Sequence, residues 1–148
     1  MDDKDLGYGL ICLWNFSRSR TAERVFIRII KKNLGDKYSP RLESKFYSAG
    51  LLTLPLPRLR ATLFGTKDLT PEMILRSKKL ILMQPDMEKL VYAKFNGQLN
   101  PETREQVKSK IVSLNIPFSY IFPYVPELET LLESELPPYT EEYVKTYG

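Results

Sequence analysis

The feature that most constrains the fold is a strand, a loop and a helix that follow one another between Leu10 and Gly35. Leu10–Phe16 is almost continuously apolar, which predicts a strand that is covered on both faces. After a Ser/Arg loop at Ser17–Arg20, apolar residues recur every three or four positions and predict an amphipathic helix over Thr21–Leu34. An apolar strand that leads into such a helix is typical of the interior of an α/β domain.

Three later helices are each predicted to begin at a proline that is followed by a glutamate. These prolines are Pro71, Pro101 and Pro126. Proline is favoured at the first helical position, and an acidic residue behind it suits the positive end of the helix. Thr70 and Asn100 come just before two of these prolines, where their side chains are suited to act as N-caps.

Further strands are predicted from short runs of apolar and β-favouring residues. They are Phe46–Leu54, Leu59–Phe64, Leu80–Met83, Leu90–Phe95 and Ile116–Tyr124, with a hairpin turn at Pro85–Glu88. The resulting order, β-α-β-β-α-β-β-α-β-α, predicts an α/β (or α+β) fold. We expect helices packed on one mixed sheet of about five to six strands, with the first strand central.

The length of 148 residues predicts a single domain. We expect an acidic lead-in over 1–9, the α/β domain over 10–136 and a mobile tail over 137–148. No run of 18 apolar residues occurs, so a membrane-spanning helix is not expected. A single cysteine, Cys12, predicts a reducing cytoplasmic location, and its place in the first strand suggests that it only packs there.

The absence of histidine excludes several kinds of catalytic site. Nucleophiles activated by histidine and metal sites built on histidine cannot occur in this chain. One cysteine also excludes a metal site made of several thiolates. The composition therefore favours a non-catalytic role, with no catalytic residue, metal or cofactor predicted, and leaves open whether the protein is an enzyme.

Positive charge is concentrated in the first half of the chain. Between Phe16 and Lys79 there are fifteen Lys and Arg residues against five Asp and Glu, whereas after Asn115 there are six Glu against one lysine. Such an asymmetry favours an anionic partner for the first half. The other interpretation is that the acidic C-terminal region folds back over the basic surface.

A basic face on the first helix, the Ser/Arg loop and an extended segment after it are the candidate anion-binding surface. The residues are Arg18, Ser19, Arg20, Arg24, Arg28, Lys31, Arg58 and Arg60. The function expected from them is non-catalytic binding of an anionic macromolecule, nucleic acid above all, through contacts to phosphates.

Two alternatives of other classes stay open. In the first, the basic first half pairs with the acidic C-terminal region of another protein or of a second copy, giving an interaction module or homodimer. In the second, Asp36, Glu43 and Lys45 form the site of a metal-dependent nuclease, since such enzymes use clustered carboxylates and a lysine.

A degenerate nucleotide-binding fold is a further version of the second alternative. The Ser/Arg loop lies where a phosphate-binding loop would lie, and KKLILMQPD and NIPFSYIFPYVPEL resemble late segments of partitioning-type ATPases. Residues 15–20 contain no glycine, although a nucleotide-binding loop needs glycines to wrap its backbone around phosphates. The resemblance therefore implies a nucleotide-binding ancestry without hydrolysis.

Overall fold

The computed structural model describes residues 5–12, 18–51, 68–116 and 126–148, and for residues 18–20 it describes the backbone. The predicted strand Leu59–Phe64 and all but the first residue of the predicted strand Ile116–Tyr124 lie outside these ranges. The same holds for Arg58 and Arg60.

The strands and helices alternate along most of the described chain. The strands are β1 (Gly7–Cys12), β2 (Phe46–Gly50), β3 (Ser77–Leu82) and β4 (Ile111–Ser113). The helices are α1 (Arg18–Leu34), α2 (Pro71–Arg76), α3 (Glu88–Ala93), α4 (Pro101–Lys110), α5 (Pro126–Glu135) and α6 (Pro137–Tyr147). Short 3₁₀ turns occupy Gly35–Lys37, Pro40–Glu43 and Pro85–Met87.

The strands form one sheet in the order β2-β1-β3-β4, and all three pairings are parallel. Every residue of β1 is buried, as expected for a strand with neighbours on both sides. The prediction of a single α/β domain with an interior first strand is confirmed. The predicted mixed sheet of five to six strands is wrong for the described residues, which form four parallel strands joined by helical crossovers.

One cause of the strand-count error is Leu90–Phe95, which was predicted as a strand and lies mainly in helix α3. The predicted hairpin turn at Pro85–Glu88 is a 3₁₀ turn with Pro85 at its start, and it runs directly into α3. A short apolar run does not distinguish a strand from a buried helix by its pattern alone. The short strand β4 was also missed, because its three residues follow α4 without a break.

The predicted helix starts are confirmed at Pro71, Pro101 and Pro126. The Thr70 hydroxyl accepts a hydrogen bond from the Met73 N–H at 3.2 Å. The Asn100 side chain accepts one from the Thr103 N–H at 2.8 Å. Both caps satisfy backbone donors that would otherwise lack partners at the start of a helix.

Helices α1 and α6 cover the face of the sheet that carries Tyr8. The Tyr8 ring lies edge-on to Phe26 of α1, with ring centroids 6.4 Å apart, and to Tyr143 of α6, at 5.3 Å. Residues at alternate positions of a strand share a face. Leu10 and Cys12 therefore point to the same side of β1 as Tyr8.

The segment 137–148, which the sequence predicts to be a mobile tail, forms helix α6 instead. Tyr143 and Tyr147 lie four positions apart on one helix face and are both buried. The Tyr143 hydroxyl donates to the Leu42 carbonyl, and the Tyr147 hydroxyl donates to the Asp5 carboxylate at 2.6 Å. These contacts fasten α6 to the body of the domain.

An ion pair adds to this attachment. Lys79 of β3 and Glu142 of α6 are 2.6 Å apart, and the hydrogen bond from Lys79 lowers the pKa of the Glu142 carboxyl. None of the described helices is both long enough and apolar enough to span a membrane.

We predict that Glu142→Gln weakens the pH dependence of folding stability on the acid side. A lowered carboxyl pKa contributes stability above the ordinary value of 4.5, and that contribution is lost as the pH falls through the lowered value. Urea unfolding of the parent protein and of Glu142→Gln across this range measures the difference. Glu141→Gln is the matched control, because Glu141 is the exposed neighbour on the same helix. Equal pH slopes for the two variants would contradict the assignment.

Candidate functional site

The carboxyl edge of the sheet at β1 is where this topology places a ligand. From β1 the chain passes to β2 on one side, and it later returns to β3 on the other side. Open α/β sheets bind ligands in the crevice at such a reversal of strand order, beyond the carboxyl ends of the strands. Cys12 is the last residue of β1 and therefore lies at this crevice.

The backbone of Cys12 is held firmly at the edge. Its carbonyl accepts a hydrogen bond from the Leu51 N–H at 3.0 Å, and the side chain is 3% exposed. Because the side chain is on the face of Tyr8 and Leu10, it points toward the layer that contains α1. Cys12 forms no disulfide within the chain, since the sequence has no other cysteine.

Helix α1 begins at Arg18, so five residues separate Cys12 from the helix start. These five residues, 13–17, lie outside the described ranges. The first N–H groups of a helix have no partner within the helix and attract anions, especially phosphate. A cysteine at the carboxyl end of a strand is therefore separated by only five residues of sequence from an anion-attracting helix end.

The neighbouring residues on the two sides of Cys12 along this edge differ in their side chains. On the β2 side its register partner is Gly50, and Gly50 in turn pairs with Asp68 in an isolated parallel bridge. On the β3 side lies Met83, which is fully buried and donates its N–H to the Ile11 carbonyl at 3.0 Å. The edge thus has no side chain at Gly50 and a thioether at Met83.

The predicted anion-binding residues of the loop and of the first helical turn lie beside this site. Arg18, Ser19 and Arg20 are the first three residues of α1, three positions earlier than the predicted helix start. The structure therefore places the backbones of these three residues at the start of the helix that follows β1. The sequence predicted that they bind an anionic macromolecule.

The rest of the predicted basic face is occupied by contacts within the chain. Arg28 forms ion pairs with Glu129 at 3.1 Å and Glu133 at 2.9 Å on α5, and the Glu129 hydrogen bond is the main cause of its raised pKa. Arg24 donates to the Thr21 hydroxyl at 3.2 Å. Lys31 lies 5.2 Å from the centroid of the Tyr38 ring. Of these contacts, only the ion pairs of Arg28 match the interpretation in which the acidic C-terminal region covers the basic face.

The residues of the nuclease alternative have separate partners. Glu43 accepts a hydrogen bond from the Tyr38 hydroxyl, and Lys45 donates to the Asp5 carbonyl at 2.6 Å. Asp36 is exposed in the 3₁₀ turn after α1. In the part of the chain that the structure describes, no three acidic or cysteine side chains form a group that could hold a metal ion.

No protein-family model matches the chain, and no curated protein matches it either. Solved structures do match it. YfkJ from Bacillus subtilis aligns over 97% of this chain and 98% of that chain, with a TM-score of 0.63 and 17% identity. A Cys-to-Ser mutant of the YwlE arginine phosphatase, with a phosphorylated active-site serine, aligns over 95% and 97%, with a TM-score of 0.60 and 16% identity.

The tyrosine phosphatase Wzb from Escherichia coli K30, in complex with phosphate, aligns over 96% of this chain and 98% of that chain. Its TM-score is 0.56 and its identity 18%. The fold is that of the low molecular weight phosphatases.

This fold overturns the expected function. The prediction of a non-catalytic nucleic-acid-binding protein is wrong, because the structures that share the fold include an arginine phosphatase and tyrosine phosphatases. The interaction module is not supported by these neighbours either. Sequence reasoning also passed over Cys12, which it interpreted as packing. The signal available in the sequence was its place in a buried strand a few residues before a predicted helix.

We predict that Arg28→Ala changes the free energy of unfolding by less than about 1 kcal/mol, because ion pairs between exposed side chains are weak. The Arg28 side chain is 51% exposed. Urea titration at neutral pH measures the change, with Lys32→Ala on the same helix as the control. A loss above about 2 kcal/mol would contradict the view of these two ion pairs as solvent-screened surface contacts.

Proposed function

We propose that this protein is a phosphomonoesterase in which Cys12 is the nucleophile. The observation that carries the proposal is the position of Cys12, at the carboxyl end of β1 and separated by five residues from the start of α1. A thiolate is an effective nucleophile, and covalent catalysis divides one difficult displacement into two easier ones. The start of α1 suits the phosphoryl group that such a thiolate would attack.

In the proposed first step, the Cys12 sulfur attacks phosphorus and the bond from phosphorus to the leaving oxygen breaks. In the second step, water attacks the phosphocysteine, releasing phosphate and returning the electron pair to sulfur. The phosphorylated serine in the YwlE mutant supports this covalent route, since there a hydroxyl in place of a cysteine carries the phosphoryl group. The phosphate in the Wzb structure supports an anion site in the same fold.

Arg18 is proposed to bind the phosphoryl group. It is the first residue of α1, so the sequence supplies a guanidinium at the helix start. A guanidinium can bind two phosphate oxygens at once and suits the charge that spreads over them during transfer. This role replaces the contact with a nucleic-acid backbone that the charge pattern first indicated for Arg18.

We predict that Cys12→Ser lowers kcat/KM for a phosphomonoester at least about a thousandfold, because loss of a nucleophile removes the covalent route. The assay uses p-nitrophenyl phosphate, a phosphotyrosine peptide and a phosphoarginine peptide. Lys32→Ala, on the exposed last turn of α1, is the control and keeps the parent rate.

Two results would contradict the proposal. The first is equal hydrolysis by the parent protein and Cys12→Ser. The second is the absence of hydrolysis of all three substrates by the folded parent protein. The ratio of kcat/KM among the three substrates shows whether the protein prefers phosphate esters or phosphoarginine.

A further inference from the structure

An exposed turn that follows helix α3 contains the sequence Asn96-Gly97. Both residues have positive φ, 51° for Asn96 and 75° for Gly97. Across them, the Gln98 N–H donates to the Phe95 carbonyl at 2.9 Å. Positive φ at both central positions is typical of a type I′ turn, which favours asparagine followed by glycine. Residues 96–98 are all exposed, so solvent water reaches this turn.

The Asn96 carboxamide and the backbone nitrogen of Gly97 are two groups that can react with each other. Attack of this nitrogen on the Asn96 Cγ closes a five-membered imide ring, and the attacking N–H must not be held by another group. Among the residues that the structure describes, no acceptor is bonded to the Gly97 N–H. A Cβ added to Gly97 would meet no described atom within 4 Å beyond its two chain neighbours, so the ring has room to form.

The other asparagines in the described ranges are not followed by such a nitrogen. They occur in the pairs Asn33-Leu34, Asn100-Pro101 and Asn115-Ile116. In the first pair the following N–H lies inside α1, where N–H groups bond to carbonyls four residues earlier. In the second pair it is absent, because proline has no N–H. In the third pair it donates to the Met83 carbonyl at 2.9 Å.

The turn has to open before the ring can close, because closure rotates the backbone between Asn96 and Gly97 out of the turn conformation. The hydrogen bond from Gln98 to Phe95 is the one that spans the turn and must break. The net contribution of one backbone hydrogen bond corresponds to about a tenfold change in population at most. Opening of this exposed turn therefore slows the reaction only modestly relative to an unfolded chain.

We propose that Asn96 is a site of spontaneous deamidation in the folded protein. In the first step, the Gly97 nitrogen bonds to the Asn96 Cγ and loses its proton, while the bond from Cγ to Nδ2 breaks and ammonia leaves. In the second step, water adds to one of the two imide carbonyls and one ring C–N bond breaks. Cleavage at Cγ gives aspartate, whereas cleavage at the backbone carbonyl carbon gives isoaspartate. Each product places a negative charge where the sequence has a neutral amide.

The test keeps the folded protein in mildly alkaline buffer and maps its peptides by mass spectrometry at intervals. Deamidation replaces an amide group by a carboxyl group and raises the mass of the peptide that contains Asn96. Methylation by an isoaspartyl methyltransferase distinguishes isoaspartate from aspartate. We expect the rate at Asn96 to lie within about tenfold of the rate in the same chain unfolded in guanidinium chloride, with isoaspartate among the products.

The same digest contains internal controls. Asn33, Asn100 and Asn115 stay unmodified in the folded protein while Asn96 reacts. Asn96→Gln loses the product, because its longer side chain would have to close a six-membered ring, and thermal unfolding monitors the fold of this variant. An Asn96 that stays intact in the folded parent protein while the unfolded chain reacts overturns the inference. Modification of Asn33 or Asn115 at the same rate as Asn96 also overturns it.

Discussion

The structure depends on the parallel pairing of β1 between β2 and β3. This pairing buries every residue of β1 and reverses the strand order on its two sides. Since all the strands point the same way, their carboxyl ends meet at one edge, and Cys12 is carried to that edge. The packing of Tyr8 against α1 and α6 at the other end of β1 holds the same strand in place. The pairing of β1 therefore both stabilises the fold and positions Cys12 at the carboxyl edge.

Much of the fold could be predicted from local signals in the sequence. The helices that begin at Pro71, Pro101 and Pro126 follow from proline and acidic residues, whose effects act within one helical turn. The apolar run at β1 correctly predicted an interior strand. The strand predicted at Leu90–Phe95 was wrong because short apolar runs fit either a strand or a buried helix. Helix α6 was missed because its stability comes from contacts distant in sequence, such as Tyr147 with Asp5.

The candidate site was harder to predict because the positive charge in the sequence indicated a different face of α1. Arg24, Arg28 and Lys31 form a basic face in sequence, yet each contacts a group of the same chain. Sequence alone does not reveal that α5 brings glutamates to Arg28. Cys12 gave a weak signal, since buried cysteines are common in cores. Whether Cys12 lies at the reversal of strand order depends on the arrangement of the strands, which is known only from the assembled sheet.

If Cys12 is the nucleophile, it carries the phosphoryl group during turnover. This consequence is tested most directly by mixing the protein with p-nitrophenyl phosphate, quenching within milliseconds, and mapping the modified peptide by mass spectrometry. We expect one phosphoryl group on the peptide that contains Cys12, and none on that peptide in Cys12→Ala. Turnover without any phosphorylated cysteine, or with the phosphoryl group on another residue, would contradict it.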